Sequence, residues 1–395
     1  MISEENSRML ALLADVLHDR TPDPIPADQW PALRRELQMQ TVYALPAEFF
    51  PALGLSADDA GDYLRAVIKN RQTFHRLMKD QTRFLALLDD AGIPAVVLKG
   101  AAAAISYAHP ENRCMGDIDL LVLPQDFDRA FDTLIAAGCT KMVFSSENPR
   151  HTDMKTPNGI VIELHNYFST SDNDEQNGVL DGLLFRAIPS RVFGTLCGYR
   201  VPMLPTAVNG LVLLGHINQH LSTGLGLRQI IDWMEYVEAN LDDTAWEAGF
   251  AEMAEQIGMK RLAMIATAMC QKYLGLQKDI HWCSYEPVCD ELMEYILSNG
   301  NFGRKEASLK RQTVIVLKHF RSPAELLRTA QSYGLLNWEP ARKHRVLRPF
   351  AWCYQLGRWA VKGVRSGVTA DLLSEASESA KETAGLMEKL GVTRV

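Results

Sequence analysis

A chain of 395 residues exceeds the roughly 250 to 300 at which single cores stop growing, so two or three structural units are expected. Apolar residues at 47% and charged residues at 23% are ordinary for a globular protein and exclude extensive disorder. A net charge of −7 with a pI near 5.8 excludes a general nucleic-acid coat protein, whose affinity comes from basic surface, and leaves room only for a local basic patch.

From residue 1 to about 91 the pattern is helical. It ends where Phe74, Leu77, Met78, Phe84, Leu85 and Leu88 recur at three- and four-residue spacing. Prolines at 24, 26, 31, 46 and 51 break the earlier part into short helices and loops, because proline lacks a backbone donor. The N-terminus is acidic and amphipathic, unlike a secretory signal. The pattern changes at Gly92-Ile93-Pro94. Ala95-Val96-Val97-Leu98 reads as a buried strand ended by Lys99-Gly100, followed by an alanine-rich helix.

Asp117 to Leu123 reads as a second strand, and Pro124 with Asp126 opens a helix through Ala137 that Gly138 closes. Strands are expected near Lys141 to Phe144, His151 to Lys155 and Ile160 to Asn166, the last two joined by the turn Pro157-Asn158-Gly159. After Pro205 the chain is helical again, with Thr206 expected to cap the apolar run that follows, and Ser298 to Gly303 expected as a loop. Residues 342–365 interleave Arg342, Lys343, Arg345, Arg348, Arg358, Lys362 and Arg365 with Trp352, Tyr354 and Trp359. The plain reading is an amphipathic helix with a solvated basic face, and the alternative is a polyanion or membrane-surface site. The expected architecture is α+β: a helical lobe over 1–91, a mixed-sheet α/β core over 92–205 and a helical domain over 206–395.

Seven scattered cysteines without zinc-ribbon spacing read as free thiols of a reducing cytosol, with Cys283 and Cys289 assigned to the core. No apolar run approaches the roughly 20 residues of a membrane-spanning helix, so a cytoplasmic location is expected.

Side chains alternate along a strand, so Asp117 and Asp119 share one face while Ile118 turns into the core. Two adjacent carboxylates repel unless a cation lies between them, and hard oxygen donors suit Mg²⁺ bridging to phosphates. By the same alternation Val161, Glu163 and His165 share a face, bringing a third carboxylate if the strands are neighbours. Three acids in one cleft suit two-metal phosphoryl or nucleotidyl chemistry. His216 and His220, and likewise Arg228 and Asp232, lie four apart on a predicted helix. Packed histidines and a helix salt bridge are the plainer reading, and a helical wall over the cleft contacting nucleotide or acceptor is the functional one.

The segments LKGAAAAISYAHPENRCMGDIDLLV, IELHNYF and HINQHLSTGLGLRQIIDWMEYV together resemble the uncharacterised nucleotidyltransferase family within the DNA polymerase beta-type superfamily, over about Ile93 to Tyr236. The superfamily's first-strand glycine, acid-x-acid pair and third acid correspond here to Gly100, to Asp117 with Asp119, and to Glu163. Ala101 stands where the superfamily usually has a second glycine or a serine.

The resemblance implies a magnesium- or manganese-dependent transferase that moves a nucleoside monophosphate from a nucleoside triphosphate, with ATP expected, to an unidentified acceptor, releasing pyrophosphate. It implies metal on Asp117, Asp119 and Glu163. Nucleotide would lie against Lys99, Gly100, Ala101, Arg113 and His165. Two other readings remain open: an inert nucleotide-binding module, which Ala101 permits, and a metal-dependent phosphohydrolase built on His216, His220 and Asp232.

Overall fold

The structure is a computed structural model that describes residues 2–142, 150–169, 173–305, 323–365 and 370–393. Helices α1 (Glu4–Val16) and α2 (Trp30–Met39) precede the long helix α3 (Ala57–Asp90). The start of α3 follows from its first residues: the Ser56 side chain accepts from the Asp59 amide, and Asp58 and Asp59 lie in the first turn, where negative charge meets the positive helix end.

A five-stranded mixed sheet follows in the order β1 (Ala95–Leu98), β2 (Asp117–Val122), β5 (Val161–His165), β4 (His151–Lys155), β3 (Thr140–Lys141). Strands β2 and β5 run parallel, and the other pairs are antiparallel. Of the strand expected over 141–144, Lys141 lies in β3 and Met142 does not, and Val143 and Phe144 are outside the described residues. The short helix α4 (Gly100–Ala104) follows β1, and α5 (Phe127–Ala136) follows β2. Hairpin β4–β5 turns at Gly159, whose φ of +82° suits glycine. After α6 (Asp174–Ala187), strands β6 (Val192–Leu196) and β7 (Tyr199–Met203) form a separate hairpin. Its turn residues Cys197 and Gly198 both have positive φ, as a type I′ hairpin turn requires.

Strand alternation divides the molecule into two cores. Ala95, Val97, Ile118, Leu120, Val122, Ile162 and Leu164 pack with Phe74, Leu77, Phe84 and Leu88 of α3. Val96, Leu98 and Leu121, on the opposite face, pack into a larger core shared by α1, α2, α7 (Thr206–Thr223) and α8 (Leu227–Asn240). Helix α7 is buried on nearly all sides, as a helix that is apolar all round must be. Thr206 does not cap it. The cap position is Pro205, with no side-chain hydrogen bond, and Thr206 is already helical.

Helices 260–273, 288–299 and 370–389 complete the larger core. Between them, helix 351–365 packs on helix 323–337, with Trp338 stacked on Tyr354 and Tyr333 edge-on to Trp359. All seven cysteines are free thiols, with Cys283 and Cys289 buried. Among the described residues no helix is long and apolar enough to cross a membrane.

Candidate active site

The sheet face turned toward the helical core carries the acids. In the parallel pair β2–β5, Asp119 lies directly beside Glu163, and Asp117 is two residues earlier on the same face. On the other flank Leu98 pairs with Asp119, so Lys99 emerges from β1 next to it, and the Lys99 ammonium sits 2.8 Å from Asp119 Oδ1. The chain turns sharply here. Lys99 has a φ of +50° and Gly100 one of +38°, and a non-glycine residue at positive φ is a strained position of the kind found at functional sites. Ala101 is buried in the first turn of α4.

His165, buried, reaches both carboxylates: its Nε2 is 3.2 Å from Asp119 Oδ1 and 3.3 Å from Glu163 Oε2. Carboxylates only accept, so Nε2 carries the proton. Asp119 is 3% exposed and covered by Lys99 and His165, whereas Glu163 is 27% exposed. Burial pushes the Lys99 ammonium down, but Asp119, Glu163 and Asp117 outweigh it and hold it above its usual range. Burial and the neighbouring Asp119 charge push Asp117 up. Burial also opposes ionisation of Glu163, yet the His165 hydrogen bond and the Lys99 charge bring it to about 2. His165 is raised, its two carboxylate hydrogen bonds outweighing burial.

The helical side supplies the opposite wall. His216 and His220 on α7 touch through their Nε2 atoms at 2.9 Å, so one neutral ring donates to the other. Burial and its neighbour His220 keep His216 well below the usual histidine range, and burial with the Lys99 charge takes His220 to about 3. The ring of Phe302 stands edge-on to His220, with centroids 4.7 Å apart, and the Arg228 guanidinium lies 5.8 Å from the same ring. Arg228 donates to the Cys114 carbonyl, and burial and the Arg113 charge lower its pKa.

Arg113, expected at the phosphates, is committed elsewhere. Its Nε and Nη2 each lie 2.6 Å from the two oxygens of Asp232, and Tyr107 donates to the same carboxylate at 2.7 Å. Arg113 and Asp232 are 3% and 1% exposed, so this is a buried clamp joining the loop before β2 to α8. It also takes Asp232 from Arg228, its expected helix partner, and from His216 and His220, with which the alternative phosphohydrolase reading groups it. Among the described residues, the groups with converging ligand atoms are instead His151, Glu163 and His165, and a surface group of Glu48, His109 and Glu111 in which Glu48 pairs with Arg71.

His151, Asp153 and Tyr107 were missed by sequence reasoning. The first two carry a usable signal, because closing the hairpin at Pro157-Asn158-Gly159 places His151 opposite His165 and Asp153 opposite Glu163. Tyr107 carries none, since its partner Asp232 is 125 residues away.

Among solved structures, an antigenic nucleotidyltransferase-like protein from Paracoccidioides brasiliensis is similar at 14% identity, covering 50% of this chain and 95% of its own, with a TM-score of 0.28. No curated protein matches the chain in sequence. Residues 26–275 match the family described as uncharacterised nucleotidyltransferase, and since that match spans well over half of the 395 residues, the chain belongs to this family.

Proposed function

We propose that this chain transfers a nucleoside monophosphate from a nucleoside triphosphate, with ATP the expected donor, to a hydroxyl or phosphate on a separate acceptor. One observation carries the reading: Asp119 and Glu163 side by side across β2–β5, with Asp117 on the same face and Lys99 on Asp119. These residues fit a divalent ion, because three carboxylates project from one sheet face, and Lys99 and His165 contact Asp119 while His165 also contacts Glu163. Magnesium, or manganese in its place, would be held by Asp117, Asp119 and Glu163, and supplies neutralisation of phosphate charge and activation of the acceptor oxygen.

The chain's own groups divide the remaining work. Lys99, kept protonated by its acidic neighbours, offsets charge on the outer phosphates. Gly100, without a side chain, leaves its backbone bare beside it. Glu163, ionised down to about pH 2, suits a ligand role better than that of a proton acceptor, since general bases work best near the operating pH. His165 holds Glu163 and Asp119 in register. Arg228, His216 and His220 form the wall against nucleotide or acceptor. Asp232, through Arg113, keeps that wall seated on the loop before β2.

Incubation with α-labelled ATP, Mg²⁺ and cell extract should yield a labelled product that D117A and D119A fail to form. Label transfer that survives both substitutions would sink the proposal. A second reading, nucleotide binding without turnover, is favoured by the coverage of Asp119 under Lys99 and His165. It predicts nucleotide protection against heating but no labelled product with any acceptor.

A further inference from the structure

We infer that the Glu163 end of the cleft is a binding site for one divalent transition-metal ion, held by His151, Glu163 and His165. The hairpin register places His151 opposite His165, with ring centroids 4.9 Å apart. Each of the three residues offers a ligand atom, and these atoms all lie within 4.8 Å of one another. Convergence of that kind needs little movement to surround an ion with ligands at about 2.0 to 2.2 Å.

Burial supplies an independent argument. His165 is more than nine-tenths buried, and its Nδ1 is closed to solvent with no hydrogen-bond partner. A buried polar atom left without a partner has lost its hydrogen bonds to water with nothing in return, so such an atom is expected to meet something when the protein works. The adjoining carboxylate has an outer role to match. Asp153 Oδ1 is also shut from solvent and lies 3.3 Å from His151 Nε2, outside hydrogen-bonding geometry, where it can orient a metal-bound imidazole.

Donor chemistry sets the class of ion. Two imidazoles and one carboxylate suit Zn²⁺, Mn²⁺, Fe²⁺ or Co²⁺, whereas Mg²⁺ takes oxygen ligands and keeps its waters. The cleft thus divides into an oxygen-rich end at Asp117 and Asp119 and a nitrogen-rich end at His151 and His165, with Glu163 between them. This site goes beyond the transfer reading, and its test uses no nucleotide, so either can fail alone.

The probe is Co²⁺, titrated into chelator-treated full-length protein carrying no histidine tag. The expected result is a saturable visible d–d absorption at one ion per chain, bleached by stoichiometric Zn²⁺ and unmoved by a large excess of Mg²⁺. H151Q and H165Q should each weaken Co²⁺ binding at least tenfold. D117N should leave it within about twofold. Because His165 lies in the core, H151Q, at the more open position, is the decisive variant, with folding checked by circular dichroism. No saturable absorption, absorption retained in a folded H151Q, or displacement by Mg²⁺ as readily as by Zn²⁺ would each overturn the assignment.

Discussion

Glu235 shows how much a buried carboxylate depends on its partners. It lies one turn beyond Asp232 on α8 and is 8% exposed, yet among the described residues no arginine pairs with it as Arg113 pairs with Asp232. Burial, followed by the charges of Glu238, Asp232 and Asp19, raises it to about 8. A folded-state pKa above the unfolded 4.5 means that the native state holds the proton more tightly. Its contribution is therefore complete below about pH 4.5 and is lost as pH rises toward 8. Each pH unit in that window should cost the wild type about 1.4 kcal/mol relative to E235Q, which has nothing to ionise. Urea unfolding of both proteins from pH 4 to 9 measures this, and parallel stability curves would show that Glu235 is not the responsible group.

At the level of elements, the turn between α7 and α8 is closed by a backbone clasp that no helical pattern announces. The Phe302 amide donates to the Gly224 carbonyl at 2.9 Å, and Phe302 takes a φ of +56°, unusual for a bulky residue. Gly224 has a φ of +108°, and a Cβ there would lie 2.1 Å from the Gly303 nitrogen, a backbone atom that cannot swing aside. Substitution G224A should therefore destabilise by at least the ~1 to 3 kcal/mol of a strained backbone position. By contrast G178A, on α6 with nothing within 4 Å of the new Cβ, should be neutral or gain up to about 1 kcal/mol. Equal denaturation midpoints for the two variants would rule the clasp out as a stabilising contact.

That contrast marks what was legible in the chain. Alternation in DIDLLV and VIELH puts Asp117, Asp119 and Glu163 on one face without any knowledge of the fold, and it also turns Ile118, Ile162 and Leu164 into the opposite core. The loop expected at Ser298 to Gly303 contains the clasp, but the helix persists to Asn299 and what the loop grips is set by packing. Arg113 is the clearest case. Beside the acids it reads as a phosphate ligand, and only the fold brings Asp232, 119 residues on, close enough to take both of its nitrogens. Local pattern places a side chain on a face; long-range partners decide whether it is available there.

On the scale of the whole molecule, the question is whether the two cores act as one unit. The acids project from the sheet, while His220, Arg228 and Phe302 project from the helical core, and the buried Arg113–Asp232 pair ties one to the other. Breaking one partner of such a pair costs about 3 to 5 kcal/mol, so the halves are not free to unfold separately at small cost. A ligand that binds only the native state stabilises everything coupled to its site, by about 2.7 kcal/mol at roughly one hundred times Kd. All seven tryptophans lie outside residues 92–205, so their fluorescence reports the helical parts, whereas far-ultraviolet circular dichroism reports the sheet as well. With Mg²⁺ and saturating ATP, both signals should shift to the same higher melting temperature and stay coincident. A dichroism transition that moves while the tryptophan transition stays in place would mean that nucleotide engages the sheet alone, and the helical wall would lose its place in the proposed site.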